Sequence, residues 1–212
     1  DAPAYCQSAC PLHTDIKGYV NYIAEGKYDE ALRTIRNKII FPASLGRICA
    51  HPCEDKCKRG EMNNPMSIAA LKRFVADNYD SENKWDITKT DEGKGKKIAI
   101  IGAGPAGAQA AHDLAKKGYE VTIYEKLPVL GGMMRVGIPE YRLPRDIIDM
   151  EYKLLDKLDV NIKLNTEIGK DISYEDLKKE NDAVLVAIGA HKGVIVPVEG
   201  SESEGVFHAV EF

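Results

Sequence analysis

The sequence has 212 residues, 44% of them hydrophobic and 29% charged, with a formal net charge of −4, a length that suits one or two domains with buried cores. The longest nearly uncharged run, residues 98–111, is interrupted by three glycines and a proline, so it cannot span a bilayer as a helix. Neither half of the chain carries the basic excess that nucleic acid or an anionic membrane would require.

The first third reads as helical and loop-rich. Asp15 is placed to cap a helix with apolar positions Ile16, Tyr19, Val20 and Ile23, ending at Gly26. Residues 29–40 repeat the pattern through Ala31, Leu32, Ile35 and Ile39. A loop with three cysteines follows, then a third helix with Ile68, Leu71, Phe74 and Val75 on one face. Residues 1–78 are therefore expected to form a helical, cysteine-rich domain. The polar stretch 79–96, with its single Trp85, reads as a linker.

From Lys97 the texture becomes strand and helix in alternation. Residues 97–101 form an apolar strand of the kind buried on both faces. A helix over 105–117 and a strand over 120–124 complete a βαβ unit. A helix over 145–158, a strand over 160–164, a helix over 174–180 and a strand over 183–188 follow. The expected fold class is α/β, a small all-α domain followed by the front part of a doubly wound domain over 97–212.

The turn after the first strand carries chemistry. Gly102-Ala103-Gly104-Pro105-Ala106-Gly107 is a G-x-G-x-x-G that follows a strand and opens a helix. Gly102 permits the tight turn, Gly104 lets backbone approach a pyrophosphate, and Gly107 lets helix and strand pack closely. The helix start then offers free amides and a positive dipole end to phosphate. Glu125, at the end of the second strand, is placed to accept hydrogen bonds from a ribose diol. An acid there disfavours a 2′-phosphate, so the adenosine is that of FAD or NAD. Gly189, after the last strand, would let backbone pass close to the cofactor.

The five cysteines lie in Cys6-x-x-x-Cys10-Pro11 and Cys49-x-x-x-Cys53-x-x-x-Cys57. An odd count in a chain expected to be cytoplasmic argues against disulfides. A zinc site, joined by His13 or His51, is one reading. Iron–sulfur clusters are favoured, because thiolates beside a flavin, one of the two dinucleotides left open, would turn two-electron chemistry into one-electron transfer. The five histidines, His13, His51, His112, His191 and His208, have no ligating spacing, and Tyr141 is expected to pack.

Together, GAGPAG, the Glu125-Lys126 pair, LGGMM from Leu130, GIPEYRLP from Gly137 and VLVAIGA from Val184 resemble the glutamate synthase small-subunit family. That family includes the N-terminal part of dihydropyrimidine dehydrogenase and the large subunit of bifurcating ferredoxin-NADP transhydrogenases. The resemblance implies a Rossmann-like domain with FAD held by residues 102–106 at the pyrophosphate and Glu125 at the ribose. It implies flavin-side contacts from Gly132, Met133 and Arg142, an adenine-side contact near Ile168, and Ile48 against the flavin. It also implies two 4Fe-4S clusters, one using Cys6 and Cys57 with upstream cysteines, the other using Cys10, Cys49 and Cys53. Lys72 stands where dihydropyrimidine dehydrogenase has a glutamine ligand, and an ammonium has no lone pair to offer.

The resemblance further implies an NAD(P)H domain inserted after Ala190, for which residues 206–212 look like a lead-in. The odd thiol count and a first residue, Asp1, that is not Met read as marks of a truncated chain. The implied activity is electron transfer from NAD(P)H through FAD to 4Fe-4S clusters. The implied partner is an electron-accepting subunit, the glutamate synthase large subunit or a ferredoxin-like protein. A zinc-stabilised flavoprotein and a non-catalytic interaction module are the alternatives.

Overall fold

Residues 2–208 and 210 are described by a computed structural model. The cysteine-bearing part contains α1 (Tyr5–Ala9), α2 (Ile16–Ala24), α3 (Tyr28–Arg36), α4 (Pro42–Ile48), α5 (Pro52–Asp55) and α6 (Ile68–Tyr79). Asp15 caps α2 by accepting the Gly18 N–H at 2.9 Å, as its position before an apolar-periodic run leads one to expect. The inner faces of α2, α3 and α6 bury Ile16, Tyr19, Leu32, Ile35, Ile68 and Val75 in one cluster with Cys53. Two short helices, α4 and α5, stand where a cysteine loop is expected from sequence, and α1 is likewise too short to announce itself by periodicity.

The second part is a parallel sheet of β1 (Lys97–Ile101), β2 (Glu120–Tyr124), β3 (Asn161–Lys163) and β4 (Ala183–Val186), in the order β3-β2-β1-β4. Its helices are α7 (Pro105–Lys116), α8 (Met133–Val136), α9 (Arg145–Lys157) and α10 (Tyr174–Glu180). Alternation along β1 divides the core. Ile98 and Ile100 pack with Ala108, Ala111, Leu154 and Leu155 of α7 and α9, whereas Ala99 packs with Tyr124 and Leu177 on the other face. The chain moves outward from β1 to β2 and β3, then returns to place β4 on the opposite side of β1. The carboxyl ends of β1 and β4 thus flank a topological switch point, where open α/β sheets bind ligands.

The two parts share a core. Ile40 and Phe41 insert among the sheet-side residues, and Phe41 lies against Tyr152 with ring centroids 5.1 Å apart. The expected linker is packed rather than free. Trp85 is 6% exposed, lies in the same core, and donates its indole N–H to Asp80 at 2.6 Å. Beyond it, the Thr90 and Gly93 amides bond to the Lys116 and Lys117 carbonyls at 2.8 Å each. Burial of one indole outweighs the polar composition of its neighbours. Residues 206–208 and 210 contain no helix or strand, and the rest of the expected lead-in lies outside the described residues.

Candidate functional site

The glycine turn is fixed from four directions. Gly102 adopts φ +107°, and a Cβ there would overlap the Ala187 carbonyl, so only glycine lets β1 pass beside the end of β4. The Gly102 amide bonds to the Tyr124 carbonyl and the Ala187 amide to the Ile101 carbonyl, both at 2.8 Å, which ties three strand ends together. Glu125 Oε2 accepts the Ala103 N–H at 2.8 Å and Oε1 accepts the Leu127 N–H at 2.8 Å. The Ala103 carbonyl in turn accepts from the Tyr152 hydroxyl at 2.7 Å and from the Gly131 amide at 3.1 Å.

A crevice of about 640 Å³ opens at this point, within the range of cofactor sites. One wall is Gly102, Gly104, Pro105 and Ala106 with the start of α7, which no side chain caps. Its amides are therefore free to meet phosphate. Tyr124, Glu125 and Lys126 from the end of β2, and Thr166 to Ile168, form the second wall. Gly132 and Met133 close one end, and residues 187–192 after β4 close the other. Gly104 and Gly132 face each other so closely that a Cβ on Gly132 would sit 2.9 Å from the Gly104 Cα. These residues fit a dinucleotide: backbone donors for the pyrophosphate, a carboxylate for a diol, and no Cβ at the closest approach.

Of the residues singled out from sequence, Gly102, Gly104, Pro105, Ala106, Glu125, Gly132, Met133, Ile168 and Gly189 line this crevice. Ala103 lies behind it, fully buried, as the anchor of the turn. Gly107 is buried against the Gly102 carbonyl, the close packing expected of the motif's last glycine. Arg142 is exposed and outside the crevice, because the backbone turn that bonds its amide to the Pro139 carbonyl leaves the side chain at the surface. Ile48 also lies outside, packed on the core shared with the sheet. Tyr141, expected to pack, is 91% exposed.

Tyr152 was not legible as a site residue. It reads only as one apolar-face position of an amphipathic helix, and its bond to Ala103 spans 49 residues. Burial, with the Glu125 charge adding to it, raises its phenol far above the ordinary value, so it remains a donor. Tyr152→Phe is expected to cost about 1 kcal/mol of stability and to weaken FAD binding about fivefold, since Gly131 still serves the Ala103 carbonyl. Urea unfolding and a flavin-fluorescence titration check this, and an unchanged affinity would show that the turn does not need the hydroxyl.

The thiols form a second grouping. All five are free, Cys53 is buried and the others are half-buried. Burial first, then the charges of Cys53, Cys10, Cys6 and Cys49, raises the Tyr19 hydroxyl well above its usual range. Burial, with Cys49 and Cys10 nearby, pushes the Cys53 thiol up to about 11. Burial also opposes ionisation of Cys10, but hydrogen bonds from Thr14 and Leu12 and the Lys72 charge hold it below its ordinary value. Cys49 Sγ accepts the His51 N–H at 3.3 Å, from a residue with φ +43°. Among the described residues no three His, Cys, Asp or Glu side chains converge on a single-ion site. Cys6, Cys10 and Cys53 meet on one core cluster, and thiolate sulfur is the donor that iron–sulfur clusters take.

Comparison with known proteins bears on both groupings. Residues 2–84 match the family described as dihydropyrimidine dehydrogenase domain II, 4Fe-4S cluster. Residues 96–211 match the family described as pyridine nucleotide-disulphide oxidoreductase. Among curated proteins, the chain is 43% identical to the NADP(+)-dependent formate dehydrogenase subunit beta of Moorella thermoacetica, over 95% of this chain and 31% of that one. It is 40% identical to the NAD-dependent dihydropyrimidine dehydrogenase subunit PreT of Escherichia coli O157:H7, over 100% of this chain and 51% of that one. It is 34% identical to the glutamate synthase [NADPH] small chain of Bacillus subtilis, over 97% and 42% respectively. The chain thus spans about a third to a half of these relatives. No helix among the described residues is long and apolar enough to cross a membrane.

Proposed function

As the chain belongs to the pyridine nucleotide-disulphide oxidoreductase family, whose match takes in residues 96–211, we propose that it holds FAD in the switch-point crevice and an iron–sulfur cluster among its thiols. Within a longer polypeptide it would pass electrons from NAD(P)H, through FAD, to 4Fe-4S clusters and on to a partner subunit. The observation that carries this reading is the joint fixation of the glycine turn and Glu125, with both carboxylate oxygens already aligned on backbone amides at 2.8 Å.

Bound FAD supplies exchange between hydride and single-electron chemistry. The chain's own contribution is to bind and orient it. The α7 amides meet the pyrophosphate, the remaining lone pairs of Glu125 accept from ribose, and Met133 and Ile168 offer apolar walls to the rings. Gly132, Met133, Ile168 and Gly189, which line the crevice, are proposed as cofactor contacts, and Arg142 and Ile48 as flavin-side contacts beyond its described lining. Cys10, Cys49 and Cys53 are proposed as ligands of one cluster, and Cys6 and Cys57 as part of another.

The proposed acceptor is a partner of the glutamate synthase large-subunit kind. A second reading, another redox subunit such as that served by a formate dehydrogenase beta subunit, is favoured by the higher identity, 43% against 34%. Rapid mixing of the full-length parent with NAD(P)H tests the electron path. Flavin bleaching should precede the cluster signal in electron paramagnetic resonance, and cluster reduction ahead of the flavin would overturn the order. Adding each candidate partner then identifies the acceptor by which one reoxidises the clusters.

A further inference from the structure

One hollow in the cysteine-bearing part stands apart from the crevice. It has a volume of about 290 Å³ and lies among α1, α2, the segment after α5 and the start of α6. None of its lining residues belongs to the core shared with the sheet. Its floor is apolar. Ile16 and Ile68 are buried there, and Val20 and Met66 are half-buried beside an exposed Tyr5. Its rim is basic. Lys17, Lys56, Lys58 and Arg59 all line it, and among the described residues no acid does. Lys58 is engaged, pairing with Glu61 at 2.6 Å and lying 4.6 Å from the centre of the Tyr5 ring. Lys17 and Lys56 are exposed and stand free of any ion pair among the described residues. Such a concentration of positive charge runs against the chain's net charge of −4.

Free ammonium groups around an apolar hollow are complementary to a protein surface on which carboxylates ring an apolar side chain. A flat anionic membrane fits worse, because the apolar residues line a concavity instead of protruding. Resting on the reading that electrons leave this chain for a partner, we propose that the hollow docks that partner, an acidic one-electron carrier protein. Cys6 and Cys57 line the same hollow, so a partner seated there covers two of the thiols. The negative net charge repels an acidic protein elsewhere and leaves this patch as the point of attraction, which fixes orientation more than it adds affinity. Contacts of this kind are small and transient, as electron-transfer encounters are.

The test uses the full chain and, as probe, an acidic plant-type 2Fe-2S ferredoxin. Titration calorimetry at low salt should show saturable binding. Raising the salt from about 50 to about 300 mM should weaken it at least about tenfold, since exposed charges are screened. Lys17→Glu combined with Lys56→Glu should also weaken binding at least about tenfold, with the paired glutamine variants falling between. Both lysines are exposed, so the urea midpoint should keep its wild-type value. Carbodiimide, which joins an amine to a carboxylate, should cross-link the probe at Lys17 or Lys56. No binding at low salt, binding insensitive to salt, equal affinity in the variants, cross-links confined to other lysines, or a dimer of this chain that the variants break would overturn the proposal. No part of this test needs iron or flavin. Docking by a chain that takes up no iron and sulfide would therefore fault the electron path and leave the docking surface standing, whereas a loaded chain that does not dock the probe would do the reverse.

Discussion

Glu125→Ala is expected to abolish useful FAD binding, raising the dissociation constant at least about a hundredfold, or about 2.7 kcal/mol. Two losses combine. The Ala103 amide, in a residue with no exposed surface, loses its acceptor among the described residues, and so does the Leu127 amide. An orphaned buried donor costs about 1–3 kcal/mol, so stability should fall alongside affinity. The glycine turn would then be held only through the Ala103 carbonyl and its neighbours, and the amides meant for phosphate would lose their aim. Glu125→Gln separates the two effects. Its amide accepts through one oxygen, so one N–H faces an NH2 group, and affinity should fall to an intermediate value. Isothermal titration with FAD and urea unfolding read both quantities. Wild-type affinity in Glu125→Ala would show that the carboxylate has no part in the site.

Glu151→Ala should be the most destabilising substitution at the junction of the two parts, by about 3 kcal/mol or more. Glu151 lies on α9 with no exposed surface, and its Oε1 accepts the Ala43 N–H at 2.6 Å while Oε2 accepts the Ser44 N–H at 3.2 Å. Those amides open α4, which has no cap of its own and leads directly into Cys49. A carboxylate from the sheet side therefore caps the helix that delivers the cysteine loop. Burial pushes the Glu151 carboxyl up to about 7, against the opposing pull of the Ser44 and Ala43 donors and of Arg36 on α3.

The sign of the pH dependence follows from this direction. A carboxyl raised from 4.5 binds its proton more tightly in the folded state, so its contribution is fully present below about 4.5 and is lost as pH rises through about 7. The loss is of order 3 kcal/mol. Glu151→Gln retains an oxygen able to accept both amides, since Oε1 also lies 3.4 Å from the Ser44 N–H, and cannot ionise. Urea midpoints between pH 5 and 8 should fall for wild type and stay level for Glu151→Gln. A wild-type slope preserved in the glutamine variant would assign it to another group.

Much of the site was legible because its signals are local. The glycine fingerprint, the strand before it, the helix after it and Glu125 all lie between Lys97 and Glu125, and each has a short-range reason for its residue type. The same holds for α2, whose cap and apolar period stand together. What was not legible depends on distant partners. Helix α4 includes Gly46 and lacks a clear period, and its first turn is secured by a glutamate 108 residues away. Tyr152 looks ordinary on its own helix until the fold sets it against Ala103. Trp85 shows the converse, a polar stretch turned into packed structure by one side chain. Arg142, a flavin-side contact implied by the family resemblance, is exposed and outside the crevice lining.

The account's central claim is that the crevice between the ends of β1 and β4 holds FAD through the glycine turn and Glu125. Titration of the full chain with FAD, followed by the quenching of flavin fluorescence and run in parallel on Glu125→Ala, tests it most directly. The account predicts saturable, equimolar binding to the wild-type chain that is lost in the variant. No binding to the wild type, or equal binding to both, would contradict it.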